Sequence, residues 1–69
     1  MNVKKELGLK IKRIRQKEGL TQEQFAEIMN VSQNYIANIE CGKANMSLAK
    51  VLELSKALDV EIESLLTLK

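Results

Sequence analysis

Apolar residues recur at helical intervals along most of the chain. Val3, Leu7, Ile11 and Ile14 are spaced four, four and three apart, which puts them on one face of a helix over residues 3–18. Gly19 then suits the left-handed position beyond a helix end, and Leu20 can pack back on that helix. Gly8 falls inside the predicted helix, where glycine costs about 1 kcal/mol relative to alanine; a close helix approach is one reason to keep it. Thr21-Gln22-Glu23-Gln24 has the spacing of a capping box and opens a second helix, in which Phe25 and Met29 face inward beside Ala26 and Ile28. Asn30-Val31-Ser32 supplies a turn and a new cap, because Asn tolerates positive φ better than other non-glycine residues.

Ser32 caps a third helix over about residues 33–41, with Ile36 and Ile39 facing the core and Gly42 ending it. After a loop, Ser47 caps a fourth helix whose expected inner stripe is Leu48, Val51, Leu52, Ser55 and Leu58. Asp59-Val60-Glu61 breaks it, and a short fifth helix follows over residues 62–66. Strand signals are nearly absent. The pattern predicts an all-α fold, a compact five-helix bundle forming a single domain over residues 1–69.

Composition narrows what such a bundle can do. One cysteine, Cys41, cannot staple the fold, which argues for a reducing compartment and a cytoplasmic protein. No apolar run approaches the roughly 20 residues of a membrane span, and the basic N-terminus lacks a signal-peptide core. With no histidine, no phosphate-binding glycine-rich loop and no nucleophile beside a base, catalysis, a metal and a cofactor are all excluded from the expectation. Nothing marks a small-molecule ligand. Net charge is only +2, but Lys4, Lys5, Lys10, Lys12, Arg13, Arg15 and Lys17 crowd the first helix while Glu53, Asp59, Glu61 and Glu63 gather near the end. That order suggests a basic and an acidic pole, or else ordinary solvated helix faces.

The informative unit is residues 22–40, where two short helices flank a three-residue turn and small Ala26 stands where they would cross. Those are the requirements of a helix-turn-helix. Gln33, Asn34, Ala37, Asn38 and Cys41 project away from Ile36 and Ile39, and none is charged. A merely solvated helix face carries Lys and Glu more often. Gln and Asn can hydrogen-bond adenine N6 and N7, and Ala can touch a thymine methyl, so this face reads as a base-contacting surface for the major groove of double-stranded DNA.

The run GLTQEQFAEIMNVSQNYIANIECGKANMSL, with LGLKIKRIRQKEG before it and LAKVLELSKALDVEIESLL after it, resembles the Xre/Cro family of helix-turn-helix regulators, which includes lambdoid-phage repressors. The resemblance implies a five-helix DNA-binding domain acting as a homodimer on a palindromic operator. It implies base contacts from Gln33, Asn34, Ala37 and Asn38, and phosphate contacts from Thr21, Gln22, Lys43, Asn45 and Ser47. It also implies an ion pair between Arg15 and Glu40; the residues alone would equally allow two separate surface charges. Asn30 stands where the family often has glycine, and Met46 where it often has proline, which leaves the following loop less rigid. YIANIECGKANMSL is also similar to the controller proteins of restriction–modification systems, which regulate their own operon. An antitoxin or other protein-interaction module on the same fold is the alternative of a different class.

One recognition helix makes few base contacts, whereas a symmetric pair doubles them about 34 Å apart. The dimer interface is expected at Val60, Ile62, Leu65 and Leu66, which carry more apolar surface than one short helix easily buries. Val60 and Leu65 would serve equally well as core.

Overall fold

The computed structural model describes residues 3–66, apart from the side chains of Val3 and Leu66. Five helices follow one another: α1 (Val3–Lys17), α2 (Gln22–Met29), α3 (Gln33–Glu40), α4 (Leu48–Ala57) and α5 (Ile62–Leu66). Helix α3 packs on both α1 and α2, α4 packs on α2 and α5, and α5 closes back on α1. Phe25, Ile11, Ile36, Ile39, Leu54, Leu58 and Leu65 fill the centre and are almost wholly excluded from solvent. No helix among the described residues is long and apolar enough to cross a membrane.

Local chemistry sets the ends of these helices. The Thr21 hydroxyl accepts from the Gln24 N–H at 3.0 Å while the Thr21 N–H donates to the Gln24 side chain at 2.9 Å, a complete capping box. Ser32 and Ser47 accept from the N–H groups of Tyr35 and Lys50 and so cap α3 and α4. Helices α1 to α4 all end alike, with a left-handed residue whose N–H turns back to the helix. Gly19, Asn30, Gly42 and Asp59 hold φ of 76°, 59°, 77° and 56°. The residues after them donate five positions back, Leu20 to Arg15, Val31 to Ala26, Lys43 to Asn38 and Val60 to Ser55, at 2.9–3.1 Å. Asn30 thus supplies the turn between α2 and α3 that glycine often supplies.

Two expectations need correction. The inner stripe of α4 is Val51, Leu54, Ser55 and Leu58, with Leu54 0% exposed, whereas Leu48 is 66% and Leu52 41% exposed. Leu52 lies about 100° around the helix from Val51, which turns it off the buried face, and Leu48 sits at the helix start beyond the core's edge. Leu65, expected at a dimer surface, is 1% exposed and belongs to the core, because the short α5 turns it against the packed helices. Val60 and Ile62 are half-buried against that core, and the Leu66 side chain lies outside the described residues, as does that of Val3.

Gly8 is buried where α1 crosses α3. A Cβ there would collide with the carbonyl oxygen of Ile39 and stand 2.7 Å from that of Glu40. The helices meet backbone to backbone, and a side chain would push α3 away. Gly8→Ala should therefore lower the unfolding free energy by about 1–3 kcal/mol, opposite in sign to the gain of about 1 kcal/mol that helix propensity alone predicts. Urea denaturation decides between them; an unchanged or raised midpoint would mean the crossing does not need the glycine.

Candidate nucleic-acid interface

Helix α3 has two unlike sides. Ile36 and Ile39 are buried and Glu40 nearly so, while Gln33, Asn34 and Cys41 are exposed and Ala37 and Asn38 partly exposed. Asn34, Ala37, Asn38 and Cys41 follow one another at intervals of three, one and three, one row along the outer side. Gln33 stands beside the Ser32 cap at the start of that row. The amides of Gln33 and Asn34 are presented to solvent, and that of Asn38 partly so.

The inner side is held by a buried ionic network. Arg15 Nε donates to Glu40 Oε2 at 2.6 Å and Arg15 Nη2 to Oε1 at 3.1 Å, a two-pronged pairing of guanidinium and carboxylate. Arg15 Nη1 donates to the Leu20 carbonyl at 2.7 Å, and Gln22 Nε2 donates to Glu40 Oε1 at 3.0 Å. Among the described residues no buried side-chain nitrogen or oxygen is without a partner. The pair itself was implied by the family resemblance; Leu20 and Gln22 as its further partners were missed. Gln22 is 18 positions from Glu40, and Leu20 meets Arg15 through its backbone carbonyl, so no side-chain spacing signals either.

The residues expected at phosphates fall into two groups. Thr21 is exposed, with its oxygen engaged in the cap, and Gln22 lies over Glu40 at the start of α2. Lys43, Asn45 and Ser47 lie on the loop that leaves α3 and starts α4. That loop is tied to the end of α3, since the N–H groups of Lys43 and Ala44 both donate to the Asn38 carbonyl, at 2.9 and 3.3 Å. Ala44 and Met46 pack against the core, which steadies the loop although Met46 replaces the family's usual proline. Lys50, one turn into α4, bonds Glu53 at 3.0 Å, and that bond holds its ammonium above the ordinary lysine range.

The expected separation of basic and acidic poles does not survive folding. Lys10 Nζ reaches the Ser64 carbonyl of α5 at 3.4 Å, so basic α1 lies beside the acidic final helix. Arg15 is withdrawn into the buried network. Lys12, Arg13 and Lys17 of α1 and Lys43 of the loop after α3 stay exposed. No group of His, Cys, Asp and Glu among the described residues could hold a metal ion.

A family model described as helix-turn-helix matches residues 11–65 of this chain. The chain belongs to the helix-turn-helix family. On that membership this regulator is a DNA-binding transcription factor and not an enzyme. It is 34% identical over 67 residues to the control protein C.SmaI of Serratia marcescens, covering 97% of this chain and 80% of that protein. The crystal structure of the restriction–modification controller protein C.AhdI from Aeromonas hydrophila superposes with a TM-score of 0.82 at 33% identity, covering 88% of this chain and 92% of that one. The controller C.Esp1396I, solved as a tetramer in complex with its natural 35-base-pair operator, superposes with a TM-score of 0.79 at 27% identity, covering 97% and 99%.

Glu40→Ala in the regulator would strand Arg15 in the interior and should cost about 3–5 kcal/mol of stability. Glu53→Ala removes an exposed carboxylate from its surface pair with Lys50 and should leave the denaturation midpoint almost unchanged. Similar losses for the two variants would show that the buried pair has no special weight.

Proposed function

We propose that the regulator binds a palindromic operator as a homodimer in the cytoplasm, as a restriction–modification controller that regulates its own operon. The observation that carries this reading is the exposed, uncharged amide row of α3, braced from behind by Arg15, Glu40 and Gln22. A solvated helix face gains nothing from such a brace, whereas a reading helix must hold its side chains in register with base edges. In this reading Gln33 and Asn34 pair with base edges, Ala37 meets a thymine methyl, and Asn38 extends the contact along the groove. Thr21 and Gln22 meet one phosphate at the start of α2, where first-turn N–H groups and the helix dipole favour an anion. Lys43, Asn45 and Ser47 meet a second. Val60 and Ile62, half-buried beside the core, contribute the homodimer contact. Support comes from relatives that are controllers and from the operator-bound tetramer of C.Esp1396I.

Selection of the bound sequence from a random duplex pool, followed by titration at several salt concentrations, tests this reading. The selected site should be palindromic, and affinity should fall steeply with salt. A protein that copurifies with another chain and shows no salt-dependent DNA affinity would instead be an interaction module. Gln33→Ala should cost about 1–3 kcal/mol on the selected operator and relax its specificity; equal losses on random duplex would remove Gln33 from base reading. Lys43→Ala should weaken all sequences alike and make the slope of log affinity against log salt shallower by about 0.9, and an unchanged slope would remove it from the backbone contacts.

A further inference from the structure

Lys4 lies in the first turn of α1, 41 positions from Asn45, yet its Nζ donates to Asn45 Oδ1 at 2.6 Å. Both residues are exposed, so burial does not force them together. The consequence of the bond is directional. A carboxamide has one oxygen acceptor and an NH2 group with two donors. With its oxygen turned to an ammonium, Asn45 offers its NH2 to the surroundings, and the pair becomes a donor-rich patch carrying a full positive charge. Such a patch suits an anionic oxygen.

The backbone on either side is fixed. The loop is held to α3 by the two bonds to the Asn38 carbonyl. Its Gly42 lies so close to α1 that a Cβ there would stand 2.9 Å from the Lys5 Cα. The first turn of α1 and the loop after α3 are therefore packed together. Lys4 lies against Asn45 of the loop that also carries Lys43 and Ser47.

We infer, on the operator-binding reading above, that Lys4 is a DNA-backbone contact: held on Asn45, it adds the start of α1 to the phosphate-binding surface and turns the Asn45 amide so that it donates to a phosphate oxygen. The two parts are separable by experiment. An ammonium at a phosphate releases a counterion and steepens the salt dependence; a neutral amide adds a hydrogen bond without doing so.

Affinities of wild type, Lys4→Ala, Lys4→Gln, Asn45→Ala and the Lys4→Ala, Asn45→Ala double variant are measured on the selected operator and on random duplex, from about 50 to about 200 mM salt. Both Lys4 variants should lose about 0.9 from the slope on both duplexes, so that their deficit shrinks roughly three- to fourfold across that range. Unchanged thermal midpoints tie this loss to the charge and not to folding. Asn45→Ala should weaken both duplexes with the slope kept, and should cost less in the Lys4→Ala background than in wild type. Wild-type slopes in both Lys4 variants, with wild type itself steeply salt-dependent, overturn the inference and leave the operator reading standing. A wild-type protein with no salt-dependent affinity overturns the operator reading itself.

Discussion

Arg15 and Glu40 are withdrawn from water together, and the placement of α3 depends on how that withdrawal is compensated. Burying two charges costs several kcal/mol per ion unless the geometry is good and the remaining donors and acceptors are occupied. Here two guanidinium nitrogens meet the two carboxylate oxygens, the third meets the Leu20 carbonyl, and the Gln22 amide takes up Glu40 Oε1 as well. The network joins the end of α1, the turn after it, the start of α2 and the end of α3. An apolar cluster of equal volume can match a buried ion pair in stability, but dispersion contacts are non-directional. Hydrogen bonds of fixed length and angle specify how α3 is rotated and how far it stands from α1.

The glycine at the α1–α3 crossing works with this network. Gly8 lets the α1 backbone lie directly against the carbonyls of Ile39 and Glu40, so the carboxylate of Glu40 is brought within reach of Arg15, two turns further along α1. A wider crossing would stretch the Arg15–Glu40 bonds and leave the charges partly unpaired. Steric permission at one position and electrostatic compensation at another therefore fix a single distance between the two helices. The outer residues of α3 make no demand on this arrangement. Stability comes from the isoleucine side and the caps, which leaves the amide side free to be chosen for its chemistry.

Local rules made the helix ends legible in the sequence. A capping box, two serine caps and left-handed Gly19, Asn30 and Gly42 depend on residues within a few positions of one another, and spacing alone identifies them. The outer face of α3 was legible for the same reason, since Ile36 and Ile39 define its opposite side. Where several leucines competed for one face, spacing did not decide. Leu48, Leu52 and Leu54 all suit a helix, and only the position of α4 against α2 and α5 selects Leu54 for the interior. The charge order along the chain misled because α5 folds back onto α1, bringing together segments that the sequence sets at opposite ends. Contacts such as Gln22–Glu40 and Lys4–Asn45 span 18 and 41 positions, and no periodicity encodes them.

Gln22 stands at the junction of the two surfaces in the proposed complex. Its backbone opens α2, where an anion is favoured, and its side chain is bonded to Glu40 at the far end of the reading helix. In the same last turn of α3, the loop that carries Lys43 hangs from the Asn38 carbonyl. Both groups proposed to face the DNA backbone are thus attached to α3 by hydrogen bonds and not merely adjacent to it. In the proposed complex, a helix tied in this way would not rotate in the groove without disturbing one phosphate contact or the other. In that proposed complex, contacts that carry no sequence information would set the angle at which the amide row meets the base edges, which is how uniform backbone contacts contribute to selective recognition.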